Sequence, residues 1–76
     1  MKIVLITGEK LIKILEKKGF EIKRRKESHV QLEDSFGRRV TVPVHSGREI
    51  GRSLLRKILR DAEISRDEYE KLRKEI

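Results

Sequence analysis

Seventy-six residues, 36% of them apolar, with three aromatic side chains and no cysteine, allow one small domain around a thin aliphatic core. They exclude a disulfide framework, a thiolate metal site and a large enclosed active site. Two histidines without clustered carboxylates are a poor basis for a zinc centre, so the expectation is chemistry on an open surface with no metal and no cofactor. The net charge is +7. Arg66, Lys71, Arg73 and Lys74 balance Asp67, Glu68, Glu70 and Glu75 at the C-terminus, so the excess belongs to residues 1–63, and that body is expected to meet a polyanion or an acidic protein.

Residues 1–6 read as a short strand or a lead-in. Their four consecutive apolar residues are too few for a signal-peptide core or a membrane span, so a cytoplasmic protein that does not contact membrane is expected. Thr7 as N-cap, Glu9 in the first turn and Leu11, Ile12 and Leu15 at helical spacing predict a helix over residues 8–18, stopped by Gly19. Lys10, Lys13, Lys17 and Lys18 lie outside that stripe, as phosphate contacts or simply as a solvated helix face.

Phe20 and Ile22 alternate with Glu21 and Lys23 in a first strand that ends in Lys23-Arg24-Arg25-Lys26. A second strand over residues 28–33 puts Val30 and Leu32 on one face and His29, Gln31 and Glu33 on the other. A third over residues 39–44 turns Val40, Val42 and Val44 inward. Inward residues must face inward residues. In the first hairpin this pairs Lys23 with Gln31 and Arg25 with His29, around a loop of Lys26, Glu27 and Ser28. In the second it pairs Glu33 with Arg39 across the turn-rich residues 34–38. The open face then collects Lys23, Arg25, His29, Gln31, Arg39 and Thr41. Phe36, at the loop tip, suits stacking on a base or covering a sheet edge. Pro43 lacks an N–H and marks an edge strand or a strand end.

Ile50, Leu54, Leu55, Ile58 and Leu59 give a second helix beginning near residue 51 or 52, with Arg52, Arg56, Lys57 and Arg60 outside its stripe. Asp61, Ala62 and Glu63 end it without a glycine. Ser65 and Glu68 form a capping box for a third helix over about residues 65–75. Tyr69, Leu72 and Ile76 supply its apolar side, expected to dock on the second helix, and Asp67–Lys71 and Glu70–Lys74 pairs are expected to support it. The order predicts a single α+β domain spanning residues 1–76, with a core of about residues 7–63, helices on one face of an antiparallel sheet and the other face free to bind.

A histidine on a water-facing strand beside lysines and arginines is placed to move protons next to a phosphate; the plainer reading is a solvated surface histidine. The segments Thr7-Gly8-Glu9-Lys10-Leu11-Ile12, Arg25-Lys26-Glu27-Ser28-His29, Gly37-Arg38-Arg39-Val40-Thr41-Val42-Pro43-Val44-His45 and Leu54-Leu55-Arg56-Lys57-Ile58-Leu59-Arg60-Asp61-Ala62 together resemble the HicA toxins of HicA–HicB toxin–antitoxin pairs. The likeness covers residues 7–73. It implies a fold like the double-stranded-RNA-binding domain, an mRNA endoribonuclease activity that arrests translation, and a HicB-type antitoxin that masks the active face. The family's histidine lies in a Gly-Ser-His motif on the second strand, matched by His29. Two departures stand out: Glu27 replaces the motif's glycine, and Glu63 replaces the glycine that usually ends the second helix. A carboxylate at Glu27 repels a scissile phosphate, and a side chain there must suit whatever turn glycine allowed.

On this reading His29 is the catalytic base or acid, and Lys23, Arg25, Lys26, Ser28 and Arg39 are the RNA contacts. His45 is a second acid/base only if the third strand continues beyond Pro43, which would set it diagonally across from His29. The rival class is an RNA-binding module of the same fold without catalysis. A DNA-binding helix-turn-helix fits less well, because three strands separate the two main helices.

Overall fold

Thr7 and Gly19 bracket the first helix as their chemistry dictates. The Thr7 hydroxyl accepts the Lys10 amide at 3.3 Å, and Gly19, at φ 108°, closes the C-terminus in the left-handed conformation that glycine adopts without penalty. The structure, a computed structural model, describes residues 3–76. It contains α1 (Gly8–Lys18), β1 (Glu21–Lys26), β2 (His29–Glu33), β3 (Arg39–Pro43), α2 (Arg52–Asp61) and α3 (Arg66–Glu75). The strands form one antiparallel sheet in the order β1-β2-β3. This is the α+β layout of a double-stranded-RNA-binding domain, extended by α3.

Val30, Leu32, Val40 and Val42 cover the inner face of the sheet and are buried against Leu11, Ile14 and Leu15 of α1 and Leu55, Ile58 and Leu59 of α2. The β2–β3 register is the expected one, with Glu33 opposite Arg39, Gln31 opposite Thr41 and His29 opposite Pro43. Pro43 is both the last residue of β3 and part of an edge strand. The β1–β2 register departs from expectation. Glu21 and Ile22 face Glu33 and Leu32 as predicted, but a bulge at Lys23 then slips the ladder by one, so that Arg24 faces Gln31, Arg25 faces Val30 and Lys26 faces His29. A run of four cations has no aliphatic residue to pin its phase, and an edge strand absorbs the extra residue at little cost. Ile22, beside the bulge and expected inside, is 36% exposed.

Ahead of α1, Ile3 and Ile6 are buried, the Ile6 carbonyl accepts the Ile50 amide, and Thr7 forms an isolated bridge with Glu49. The stretch is thus a lead-in tied to the approach of α2; Met1 and Lys2 lie outside the described residues. At the first position of α1, a Cβ on Gly8 would run into the Pro43 carbonyl oxygen and come within 3.2 Å of Val44 Cα. Helix and strand backbones meet there.

α3 begins at the Ser65 N-cap, whose hydroxyl accepts the Glu68 amide at 3.1 Å; the reciprocal half of the expected capping box is not made, because the Glu68 carboxylate turns to Lys18. It docks on α1 and the lead-in, not on α2 as the sequence suggested. Lys18 pairs with Glu68 at 2.6 Å, and the fully buried Tyr69 donates its hydroxyl to the Val4 carbonyl. The turn after α2 carries the chain round to α1. Its Glu63 adopts φ 56° and the Ile64 amide returns to the Leu59 carbonyl at 2.9 Å, a left-handed closure in which a glycine is usual. Glu70 pairs with Arg73 at 2.7 Å, in place of the i,i+4 pair with Lys74.

Gly8→Ala is expected to destabilise the fold by about 1–3 kcal/mol in urea unfolding, since neither backbone segment can retreat easily. Burial pushes the Tyr69 phenol up to about 12, against about 10 in an unfolded chain. Because the neutral form is the one favoured in the folded state, its contribution is complete below about pH 10 and is lost as pH rises towards about 12. Phenolate absorbance should appear together with unfolding in that window, and Tyr69→Phe should remove this step.

Candidate active site on the open sheet face

Alternation along the central strand decides what the open face displays. With Val30 and Leu32 locked into the core, His29, Gln31 and Glu33 point away from the helices. His29 is exposed and lies between Lys26 of β1 and Pro43 of β3. It borders two hollows. One, of about 240 Å³, is lined by Arg24, Lys26, Glu27, His29 and Gln31. The other, of about 400 Å³, runs from His29 past Thr41, Pro43 and Arg39 to Leu54, Lys57 and Asp61 of α2. A third hollow holds Lys23 and Arg39 on either side of Gln31 and Thr41.

Among the residues expected at the site, Lys23, Lys26, His29 and Arg39 share this face. Arg39 lies 3.4 Å from Glu33 and Lys23 is 3.2 Å from Glu21, both as exposed surface pairs that a phosphate can displace. Arg25 does not stand opposite His29. The bulge puts it across from Val30 on the helix side of the edge strand, and Arg24 takes a place on the open face. Ser28 is half-buried in the turn, its carbonyl accepting the Val44 amide at 2.6 Å. β3 stops at Pro43, and His45 lies in the loop beyond, where its carbonyl accepts the Arg48 amide at 2.8 Å. The continuation that would have set His45 diagonally across from His29 is absent. Sequence reasoning also missed Lys57. No periodicity links a helix side chain to a strand histidine; only the packing of α2 beside the edge of β3 does so.

The hairpin turn is Glu27-Ser28, one residue tighter than expected, and Glu27 sits at φ 54°. The glycine expected here by analogy thus corresponds to a left-handed position, which Glu27 occupies at the edge of the His29 hollow that it lines. Phe36 covers no edge. It is 80% exposed at the tip of the second hairpin, with the Arg38 guanidinium 5.0 Å from its ring centroid. Arg38 is held by Asp34 at 3.0 Å and Glu63 at 2.9 Å. Burial pushes the Asp34 carboxyl up, but hydrogen bonds from the Arg38 amide and guanidinium and from the Phe36 amide outweigh it and leave the group below its ordinary range.

No cluster of metal-ligating side chains occurs among the described residues, and none of the described helices is long and apolar enough to cross a membrane. What the face offers is one imidazole and several cations at the surface, a set suited to binding a phosphate diester and moving a proton beside it.

Comparison with known proteins yields a match to one family model, described as HicA toxin of bacterial toxin-antitoxin, over residues 8–64. No curated protein matches the chain.

Glu27→Gly is expected to raise stability by about 0.5–1 kcal/mol, the left-handed penalty less the extra freedom of the unfolded chain. Glu63→Gly should gain less in the same melts, because it also removes the pair with Arg38.

Proposed function

The chain belongs to the HicA toxin family, the toxin side of bacterial toxin–antitoxin pairs, and on that footing we propose that it is an endoribonuclease that cuts mRNA, and so stops translation, with His29 as its acid/base group. The observation that carries this reading is the exposed imidazole on the central strand, bordered by hollows that hold Arg24 and Lys26 on one side and Arg39 and Lys57 on the other. RNA supplies its own nucleophile. His29 takes the proton of the 2′-hydroxyl, the 2′-oxygen attacks the neighbouring phosphorus, and the bond to the 5′-oxygen breaks as that oxygen takes a proton from water or from the imidazolium so formed, leaving a cyclic phosphate and a 5′-hydroxyl. Lys26 and Arg24, next to the imidazole, and Lys23 and Arg39, further along the face, balance the charge that builds on the phosphate oxygens. Arg25 and Ser28 contribute at the rim of the hairpin. DNA lacks the 2′-hydroxyl and is spared. The same surface is the one a cognate antitoxin must cover, and the reaction needs neither metal nor cofactor. Action in the cytoplasm, where mRNA is translated, belongs to the same proposal.

One observation favours a second reading. Glu27 lines the hollow that contains His29, its negative charge opposes phosphate there, and RNA binding without cleavage fits that arrangement.

The test uses purified protein, an mRNA and a chelator. His29→Ala is expected to cut roughly 10²–10⁴-fold more slowly than wild type while binding a 2′-deoxy-substituted RNA of the same sequence about equally well. Equal cutting by both proteins removes His29 from the chemistry. Intact RNA with both, alongside retained binding, assigns the chain to the binding class.

A further inference from the structure

The two edges of the sheet are built differently. β1 is bulged, exposed along its whole length and carries four consecutive cations, Lys23 to Lys26. Bulge and charge are the features by which natural sheets refuse another strand. β3 is regular and unbulged. Backbone bonds fix its phase: the Val44 amide bonds to the Ser28 carbonyl, and the Asp34 amide to the Arg38 carbonyl. Even-numbered residues of β3 therefore bond to β2, while the N–H and C=O groups of Arg39 and Thr41 point outward; the Pro43 carbonyl, also turned from β2, lies against Gly8 of α1 and closes that end of the edge. Among the described residues none bonds these outward groups. Pro43 loses nothing by lacking an N–H, because its nitrogen faces out.

Beside this edge runs the 400 Å³ hollow, with Val40 and Ile58 in its lining and Leu54 39% exposed on its α2 side. We propose that the free edge of β3 accepts an extended segment of the cognate antitoxin as a fourth strand. The occupant is defined by chemistry. Residues of an added strand alternate between faces, so those turned towards α2 are apolar and pack on Leu54, and those on the open face are acidic and meet Arg39 and the cations around His29. Main-chain bonds to Arg39 and Thr41 supply affinity and the alternating side chains supply selectivity. With strands about 4.8 Å apart, the carboxylates of such a segment stand about 10 Å from the His29 strand, where they compete with phosphate for the same charges. The inference rests on the partner that family membership implies and not on RNA cleavage.

The test measures amide hydrogen exchange in the full chain, alone and in complex with its co-expressed cognate antitoxin. Together with it, antitoxin affinity is compared for wild type and Leu54→Glu, whose fold is checked by melting. The Arg39 and Thr41 amides are expected to exchange at least tenfold more slowly in the complex, and Leu54→Glu to bind at least tenfold more weakly. A complex in which both amides exchange as in the free chain overturns the proposal, since this readout does not need a folded variant. Equal affinity for Leu54→Glu also overturns it. Protection already present in the chain alone, rising with its concentration, assigns the edge to a second copy and overturns it as well. A chain that fails to cut RNA leaves all these readouts standing.

Discussion

The register between β2 and β3 is the constraint on which the remainder depends. Four aliphatic side chains, Val30, Leu32, Val40 and Val42, are buried on one face, and a slip of one residue on either strand would exchange them for His29, Gln31, Arg39 and Thr41. Several buried β-branched and leucine side chains, each contributing on the order of 1.5–3 kcal/mol, hold that register against the alternative. His29 is exposed because its neighbours in sequence cannot be. The site is thus a by-product of core formation, which is an economical arrangement for a chain with so few residues to spare.

Two further contacts fix where the sheet ends and what stands beside it. Gly8 lets the start of α1 reach the backbone at Pro43–Val44, so the strand opposite His29 terminates against a helix. α3 packs behind α1 through Tyr69 and the Lys18–Glu68 pair. The electrically neutral C-terminal segment therefore joins the helical layer and leaves the sheet's outer face and the α2 flank to the basic side chains. A polyanion approaching the molecule meets the open face with little interference from the acidic residues of α3.

The left-handed residues Glu27 and Glu63 are both glutamates where the family resemblance implies glycine. Each carries a backbone penalty of about 1–2 kcal/mol, but they differ in what the side chain returns. The Glu63 carboxylate ties Arg38, and through Arg38 the Asp34 turn and the Phe36 ring, to the end of α2. Glu27 has no comparable attachment, and it lines the His29 hollow. Its effect falls on the charge of the proposed site.

Much of this was legible in the residues alone. The limits of α1, the Ser65 N-cap of α3, the β2–β3 register and the exposure of His29 follow from hydrophobic period, cap chemistry and parity, all of them local rules acting on residues with strong preferences. The sequence could not place Lys23 to Lys26, because four exposed cations on an edge strand have no inward residue to set their phase, and the bulge that exchanged Arg25 for Arg24 is decided only when the hairpin closes on a two-residue turn. Nor could it say that α3 rests on α1, that β3 stops short of His45 or that Lys57 lies beside the edge of β3. Those are relations between elements far apart in the chain, settled by which apolar surfaces find each other when the layers assemble.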